Sequence, residues 1–331
     1  MGSEVDDKQQ YMFLLSGEDV KFAEAEILAV TGVSDYIIDE TVLISTCSLH
    51  KKRLALTRKM YKFLFSCNRA DIEKSMQTFD WRSVYKNNFS LRVHRATKEV
   101  EGLDKDAKEL AVNIWNNVNN PAVDLQHPKT PVEIVITDKN AYFGLLIYKG
   151  KESFSTRRSH QRPHNQPTSM NPKIARACVN LSGIRVGDTL VDPFCGAGGI
   201  MLEAGLMRFS TRGYDIDKDI LVKCERNLDH YKVKRFKLIH LDALKITEQA
   251  DYVVTDLPYG QSSIVTGKRD KLYLDFLKSL ERILKNKAVI IFPDSVDHKK
   301  LISKTKLSIE KEFSVYVHSS LTRKIVLLKK K

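Results

Sequence analysis

With 331 residues, 42% of them hydrophobic and 29% charged, the chain is long enough for two or three domains and has the balance of a soluble globular protein. Its formal net charge of +13 favours a polyanionic partner, because Lys and Arg that neutralise phosphates gain from counterion release; plain solubility is the competing reading. The acidic start MGSEVDDKQQ matches no signal or transit peptide, no run approaches the roughly 18 apolar residues of a membrane span, and five scattered cysteines without a C-x-x-C indicate neither a zinc knuckle nor a disulfide framework, so a reducing, cytoplasmic setting is expected.

In chain order, YMFLLS (11–16) reads as a strand, and EDVKFAEAEILAVTG carries apolar residues at helical spacing up to Gly32. SDYIIDETVLISTC predicts two strands about an Asp39-Glu40 turn. LHKKRLALTRKMYKFLFSC predicts a helix running into a strand, with HKKRLALTRKMYK gathering cations near one face as an RNA stripe or a solvated surface. FSLRVHRA (89–96) is a further strand, KDAKELAVNIWNNVN (105–119) a helix, and PVEIVITDKNAYFGLLIYKG (131–150) two strands about Lys139-Asn140. This half is expected to be α+β, as two small units joined near residue 50 or 70. STRRSHQRPHNQPTSMNP (155–172) holds three prolines and three arginines and predicts an extended linker.

Beyond the linker, strand and helix alternate as in a parallel α/β sheet. Strands are expected at DTLVDPF, TRGYDID, RFKLIHLDA, DYVVTDLPYG and AVIIFP, with helices AGGIMLEAGLM, KDILVKCERNLDHYKV, KLYLDFLKSLERILK and SVDHKKLISKT among them. LSIEKEFSVYVH and RKIVLLKK close the chain as an antiparallel pair. Five parallel strands and a terminal hairpin give a doubly wound sheet, whose ligands sit at the carboxyl ends of the strands.

Several acidic residues fall at those ends. In VDPFCGAGGI (191–200) a glycine-rich turn leads into a helix whose first N–H groups are free; it fits neither G-x-G-x-x-G nor a P-loop. GYDID ends the second strand, where Asp215 can accept both hydroxyls of a ribose, with Asp217 expected to cap the next helix. LDA ends the third, where Asp242 can accept from an adenine amino group and Ala243 leaves room for the ring. TDLPYG ends the fourth. An exocyclic amine on a base has its lone pair delocalised into the ring. A carboxylate from Asp256 and the carbonyl of Pro258 can take its two N–H bonds, localising that pair, while Tyr259 stacks on the base. Asp256 can also take the proton lost after transfer.

The order DPFCGAGG, GYDID, LDA, TDLPYG resembles the amino-methyltransferase branch of Rossmann-like enzymes that use S-adenosylmethionine, with Leu257 where proline is commoner. RPHNQPTSMNPKIARACVNLSG and VHSSLTRKIVLLKK narrow the resemblance to the archaeal tRNA (guanine-10-N2)-methyltransferases. The resemblance is strong over roughly 156–331. It implies a Rossmann-like methyltransferase domain at 173–331, a linker at 155–172, a ferredoxin-like domain at 1–65 and a THUMP-like RNA-binding domain at 66–154. It implies S-adenosylmethionine as cofactor, held by Asp192, Phe194, Cys195, Gly196, Gly198, Asp215, Ile216, Asp242 and Ala243, and methyl transfer at Asp256, Pro258 and Tyr259 to guanine N2 of tRNA, at position 10. Methylation of another tRNA or rRNA guanine, N6-adenine methylation, glutamine methylation of a release factor and a non-catalytic RNA-binding module stay open as other readings.

Cys195 is read as a small loop residue rather than the nucleophile of cytosine methylation. Arg157, Arg158, Arg162, His160 and His164 on the linker, and Lys268, Arg269 and Lys271 after the Asp256 loop, are candidates to grip RNA phosphates, against the plainer reading of solvated surface. tRNA is the expected partner, a small activator protein is compatible with the resemblance, and the sequence leaves the oligomeric state open, a monomer being one plausible state.

Overall fold

Two seven-stranded sheets carry the chain in the computed structural model, one in each of two units that separate by their internal contacts. The structure describes residues 9–47, 53–96, 104–150, 153–165, 169–259, 266–318 and 321–331. Among the described residues no helix is long and apolar enough to cross a membrane.

The first unit contains β1 (Gln10–Leu15), both ends of α1 (Val20–Thr31), whose middle, Ala25–Val30, groups with the second unit, β2 (Tyr36–Asp39), β3 (Val42–Thr46), β4 (Thr57–Asn68), α2 (Ile72–Thr78), β5 (Phe89–Arg95), α3 (Asp104–Trp115), β6 (Thr130–Ile136) and β7 (Asn140–Lys149). They form one sheet in the order β2-β3-β1-β4-β7-β6-β5, antiparallel except at β5–β6. The helix expected through KKRLALTRKMYK is not found: from Thr57 onward this stretch is a strand, and residues 48–52 lie outside the described residues. β4 pairs with β1 on one side and β7 on the other, so both its edges are hydrogen-bonded. Its apolar side chains serve both faces of the sheet. Tyr61 and Phe63 join one cluster and Leu64 and Phe65 another, with a register shift between Phe63 and Phe65 that blurs the period of two. Position 65/66, where a boundary between two N-terminal domains was expected, falls inside β4.

The second unit runs from Glu152 and includes α4 (Pro172–Leu181), β8 (Thr189–Asp192), α5 (Gly199–Leu206), β9 (Ser210–Asp215), α6 (Lys218–His230), β10 (Phe236–His240), β11 (Ala250–Asp256), α7 (Thr266–Ile283), β12 (Leu284–Pro293), α8 (His298–Ile302), β13 (Leu307–His318) and β14 (Leu321–Lys330). The sheet order is β10-β9-β8-β11-β12-β14-β13. The first five strands are parallel, and β14 inserts antiparallel between β12 and β13. Strands covered on both faces need apolar residues at every position, which explains the unbroken runs Val253-Val254 and Ala288 to Phe292, all fully buried. On α7, Tyr273, Phe276, Leu277, Leu280 and Ile283 recur at helical spacing and enter the same core.

Residues 153–165 are not an extended tether. They make two 3-10 turns, Phe154–Arg157 and Ser159–Gln161, fastened to the second unit. The Tyr231 hydroxyl donates to the Thr156 carbonyl at 2.9 Å, and Asn227 exchanges two bonds with the His164 backbone at 3.0 Å each. Composition alone signalled a linker because proline and arginine carry no helical or strand period; side chains distant in sequence supply the anchoring.

Candidate active site

β8 and β11 are neighbours at the point where the strand order reverses, so their carboxyl ends flank a crevice. A cleft of about 500 Å³ opens there, and its walls include Asp192, Phe194, Cys195, Gly196, Asp215, Ile216, Asp242 and Ala243 together with Asp256, Pro258 and Tyr259. Four successive strand ends thus converge on one cavity. Gly198 is not on the cavity wall. It starts α5 at φ 83°, and a Cβ there would stand 2.6 Å from Cys224 Sγ. Gly198→Ala is expected to cost about 1–3 kcal/mol of stability and to weaken cofactor binding, read by urea denaturation and calorimetry. An unchanged midpoint and affinity would show that the turn relaxes freely.

Each carboxylate has a defined local task. Asp192 is buried; Thr255 Oγ1 donates to it at 2.7 Å and the Phe194 N–H at 3.2 Å, and burial pushes its pKa up to about 7. Asp215 accepts from the Gly196 N–H at 2.9 Å and the Asp217 N–H at 3.0 Å. Since a carboxylate offers about four lone-pair sites, room is left for a diol, and these bonds fix the glycine turn to the end of β9. Asp242 caps the short turn Ala243–Lys245 by accepting from the Leu244 N–H at 3.0 Å. Asp217 caps α6, accepting from the N–H groups of Asp219 and Ile220. Ile216 is 70% exposed at the cleft, an apolar surface suited to a purine face. Carboxylates for a ribose and an amine, small and apolar walls for a flat ring, and a glycine turn at a helix start suit S-adenosylmethionine.

Beside them lies the TDLPY turn. Asp256 ends β11, and burial raises its pKa to about 6 although the Arg323 guanidinium beside it favours the anion. Arg323 Nη2 stands 3.1 Å from Asp256 Oδ2, Arg323 Nε donates to the Tyr259 hydroxyl at 3.0 Å, and that hydroxyl donates to Asp256 Oδ1. The Tyr259 hydroxyl is therefore held by two polar partners, and the residue lines the cleft. The Pro258 carbonyl accepts from the Tyr273 hydroxyl at 2.8 Å, which spends one of its two lone pairs. Cys195 is buried, and its contact with Cys224 together with burial raises its thiol, so it is held neutral rather than as a nucleophilic thiolate.

The candidate phosphate grips divide. Arg158 and Lys268 are exposed, and Arg269 reaches the Ser295 hydroxyl and carbonyl at 3.2 and 3.4 Å. Arg157 and Arg162 are withdrawn from solvent, contrary to the expectation of phosphate contacts. Arg157 Nε binds the fully buried Glu203 at 2.7 Å, Arg176 Nε binds the same carboxylate at 2.9 Å, and Arg162 Nε donates to the Arg157 carbonyl at 2.9 Å. These arginines fasten the 153–165 segment under α5. Arg323 and Tyr273 were missed from sequence, since neither belongs to a spaced motif.

Residues 159–325 match the family UPF0020, described as an RMKL-like methyltransferase domain. The tRNA (guanine(10)-N2)-dimethyltransferase of Methanothermobacter thermautotrophicus is 33% identical over 97% of this chain and 99% of its own length. The chain belongs to this family. The namesake from Methanocaldococcus jannaschii is 30% identical over 90% of this chain and 85% of its own. Among solved structures, TrmN from Thermus thermophilus superposes with a TM-score of 0.55 at 16% identity, over 98% of this chain and 100% of that one, and so shares the fold. Family membership makes S-adenosylmethionine the cofactor, and the cleft between β8, β9, β10 and β11 has the groups to receive it.

Proposed function

We propose that this protein methylates the exocyclic N2 amine of guanosine 10 in tRNA, with S-adenosylmethionine as donor, and that it adds two methyl groups in succession. The observation that carries the reading is the meeting of Asp256 with the four-strand cofactor cleft, in a family whose relatives bear the name of that reaction. The cofactor supplies a methyl group on a sulfonium. In the proposed mechanism one N–H of the amine bonds to Asp256 and another to the remaining lone pair of the Pro258 carbonyl, so that the nitrogen lone pair is withdrawn from conjugation with the ring and turned toward the cleft. Tyr273 stiffens that carbonyl. Asp256 is ionised at neutral pH and takes the proton released on transfer. Tyr259 offers its ring face to the base. After the first methyl only one N–H remains, so the second transfer relies on a single acceptor.

The N-terminal unit, read as a ferredoxin-like and a THUMP-like region, is proposed to bind tRNA, with Arg158 and Lys268 meeting phosphates near the cleft. tRNA and a small activator protein are the proposed partners, and the cytoplasm the proposed location. The test is transfer of labelled methyl to unmodified tRNA transcripts, with the nucleoside and its position mapped. Label in guanosine 10 as the N2-dimethyl form is expected. Label confined to adenosine or to protein would sink the reading.

A protonated carboxyl loses one acceptor. Turnover is therefore expected to be present above about pH 6 and to fall below it as Asp256 takes up a proton. A profile of kcat flat through this range would remove Asp256 as the ionised acceptor.

A further inference from the structure

Arg323 has no part in the mechanism just described, yet its guanidinium touches the Asp256 and Tyr259 side chains of the TDLPY turn. Its position follows from strand direction. β14 runs antiparallel to β12, so its first residues arrive at the edge where the parallel strands end. Ile291 of β12 is paired with Asp256 on one side and with Ile325 on the other, and Arg323 lies two residues nearer that edge. The side chain is only 5% exposed. It closes a ring of three contacts: Nη2 to Asp256 Oδ2 at 3.1 Å, Nε to the Tyr259 hydroxyl at 3.0 Å, and that hydroxyl to Asp256 Oδ1. The guanidinium carbon lies 5.6 Å from the centre of the Tyr259 ring, so the cation also steadies the aromatic plane.

We propose that Arg323 is the positioning residue of the amine site, holding the Asp256 carboxylate as an aimed anion and fixing Tyr259 against it. The proposal rests on the reading of Asp256 as the amine acceptor. A planar fork suits the task, because one cation meets two partners in fixed directions where an ammonium would meet them as a point charge. The charge has a second effect. Asp192 on β8, Tyr273 on α7, Cys178 on α4 and Tyr259 also face Asp256. Of these neighbours, Asp192 can only oppose the Asp256 anion, and the thiol and phenols bring no positive charge. Among the described residues, Arg323 therefore supplies the positive charge that counters burial at this carboxylate.

The test compares wild type with Arg323→Gln and Arg323→Lys. Two readouts are taken: kcat and KM for tRNA and cofactor across pH, and carbon-13 NMR titration of the Asp256 carboxyl, assigned by its loss in Asp256→Asn. For Arg323→Gln, kcat is expected to fall about 100-fold with the cofactor KM unchanged. Its acid limb and the carboxyl titration should move upward by about one to three pH units. Arg323→Lys keeps the charge and loses the fork, so its kcat should fall while its titration stays near that of wild type. A titration unmoved in Arg323→Gln would overturn the proposal, even with a lowered kcat, because a merely structural role predicts that pattern. Should Arg323→Gln fail to fold, a titration shifted fully upward in Arg323→Lys would overturn it as well. The carboxyl titration needs no RNA. A wild type that leaves tRNA guanosine unmodified would thus defeat the functional reading and still leave the role of Arg323 decided.

Discussion

Asp256→Ala is expected to lower kcat for methyl transfer by roughly a thousand-fold while the cofactor's dissociation constant is unchanged. The separation follows from the strands involved. The groups suited to the cofactor end β8, β9 and β10, whereas Asp256 ends β11 and its partners are Arg323 and Tyr259. Removing the carboxylate deletes an acceptor for the amine and leaves the Arg323 cation without its counter-charge. Asp256→Asn keeps one acceptor oxygen but not the charge, so its activity should lie between wild type and the alanine variant. Rapid-quench transfer from labelled cofactor gives kcat, and calorimetry gives the cofactor affinity. Equal turnover in the alanine variant would remove Asp256 from the chemistry, and a matching loss of cofactor binding would make its role one of cofactor support.

The largest effect on stability is expected at Glu203→Gln. This carboxylate is fully buried on α5, bonded to Arg157 at 2.7 and 3.3 Å and to Arg176 at 2.9 Å. The Arg157 and Arg176 guanidinium carbons lie 5.1 and 5.2 Å from the Phe154 ring. Arg162, with two Nη atoms lacking hydrogen-bond partners, is buried beside them and packs on Gly199. Glutamine keeps the shape and removes a negative charge that two guanidinium groups bond and a third lies beside. Breaking a buried pair by deleting one partner costs about 3–5 kcal/mol, and here two cations lose the same partner. Thermal and urea unfolding should register that loss. Because the cluster pins residues 153–165 under the helix that follows the glycine turn, the variant should also expose this segment to proteolysis. A change below about 1 kcal/mol would mean that solvent reaches the arginines and screens them.

The methyltransferase half was legible because its code is redundant. Strands sandwiched between helices become continuous apolar runs, the helices between them keep a 3.6-residue stripe, and the acidic residues at strand ends come in the motif order of the resemblance. Those same residues line one cleft, since the carboxyl ends of parallel strands share an edge by construction. β4 was not legible at its start: a strand paired on both edges, with apolar side chains serving both faces and lysines among them, loses the alternation that identifies strands, and its lysines imitate a helical face.

Charged residues show the divide most sharply. Composition established the excess of cations, and the motif order established an amine-methylating site. Arg157, Arg158 and Arg162 are equivalent as letters in a basic segment, yet only Arg158 is exposed, because Glu203, distant in sequence, draws Arg157 inward and Arg162 folds beside it. Arg323 stands 64 residues from Tyr259 in a strand whose burial pattern assigns it no task, and although VHSSLTRKIVLLKK carries the resemblance, nothing in it singles out this arginine. The sequence by itself determined the sheet and the cofactor, and it placed Asp256 at the end of a strand, each written in short-range patterns. Only the tertiary structure decided which cations stand at the cleft and which are buried in the fold, because that depends on the direction of the last inserted strand and on a buried carboxylate.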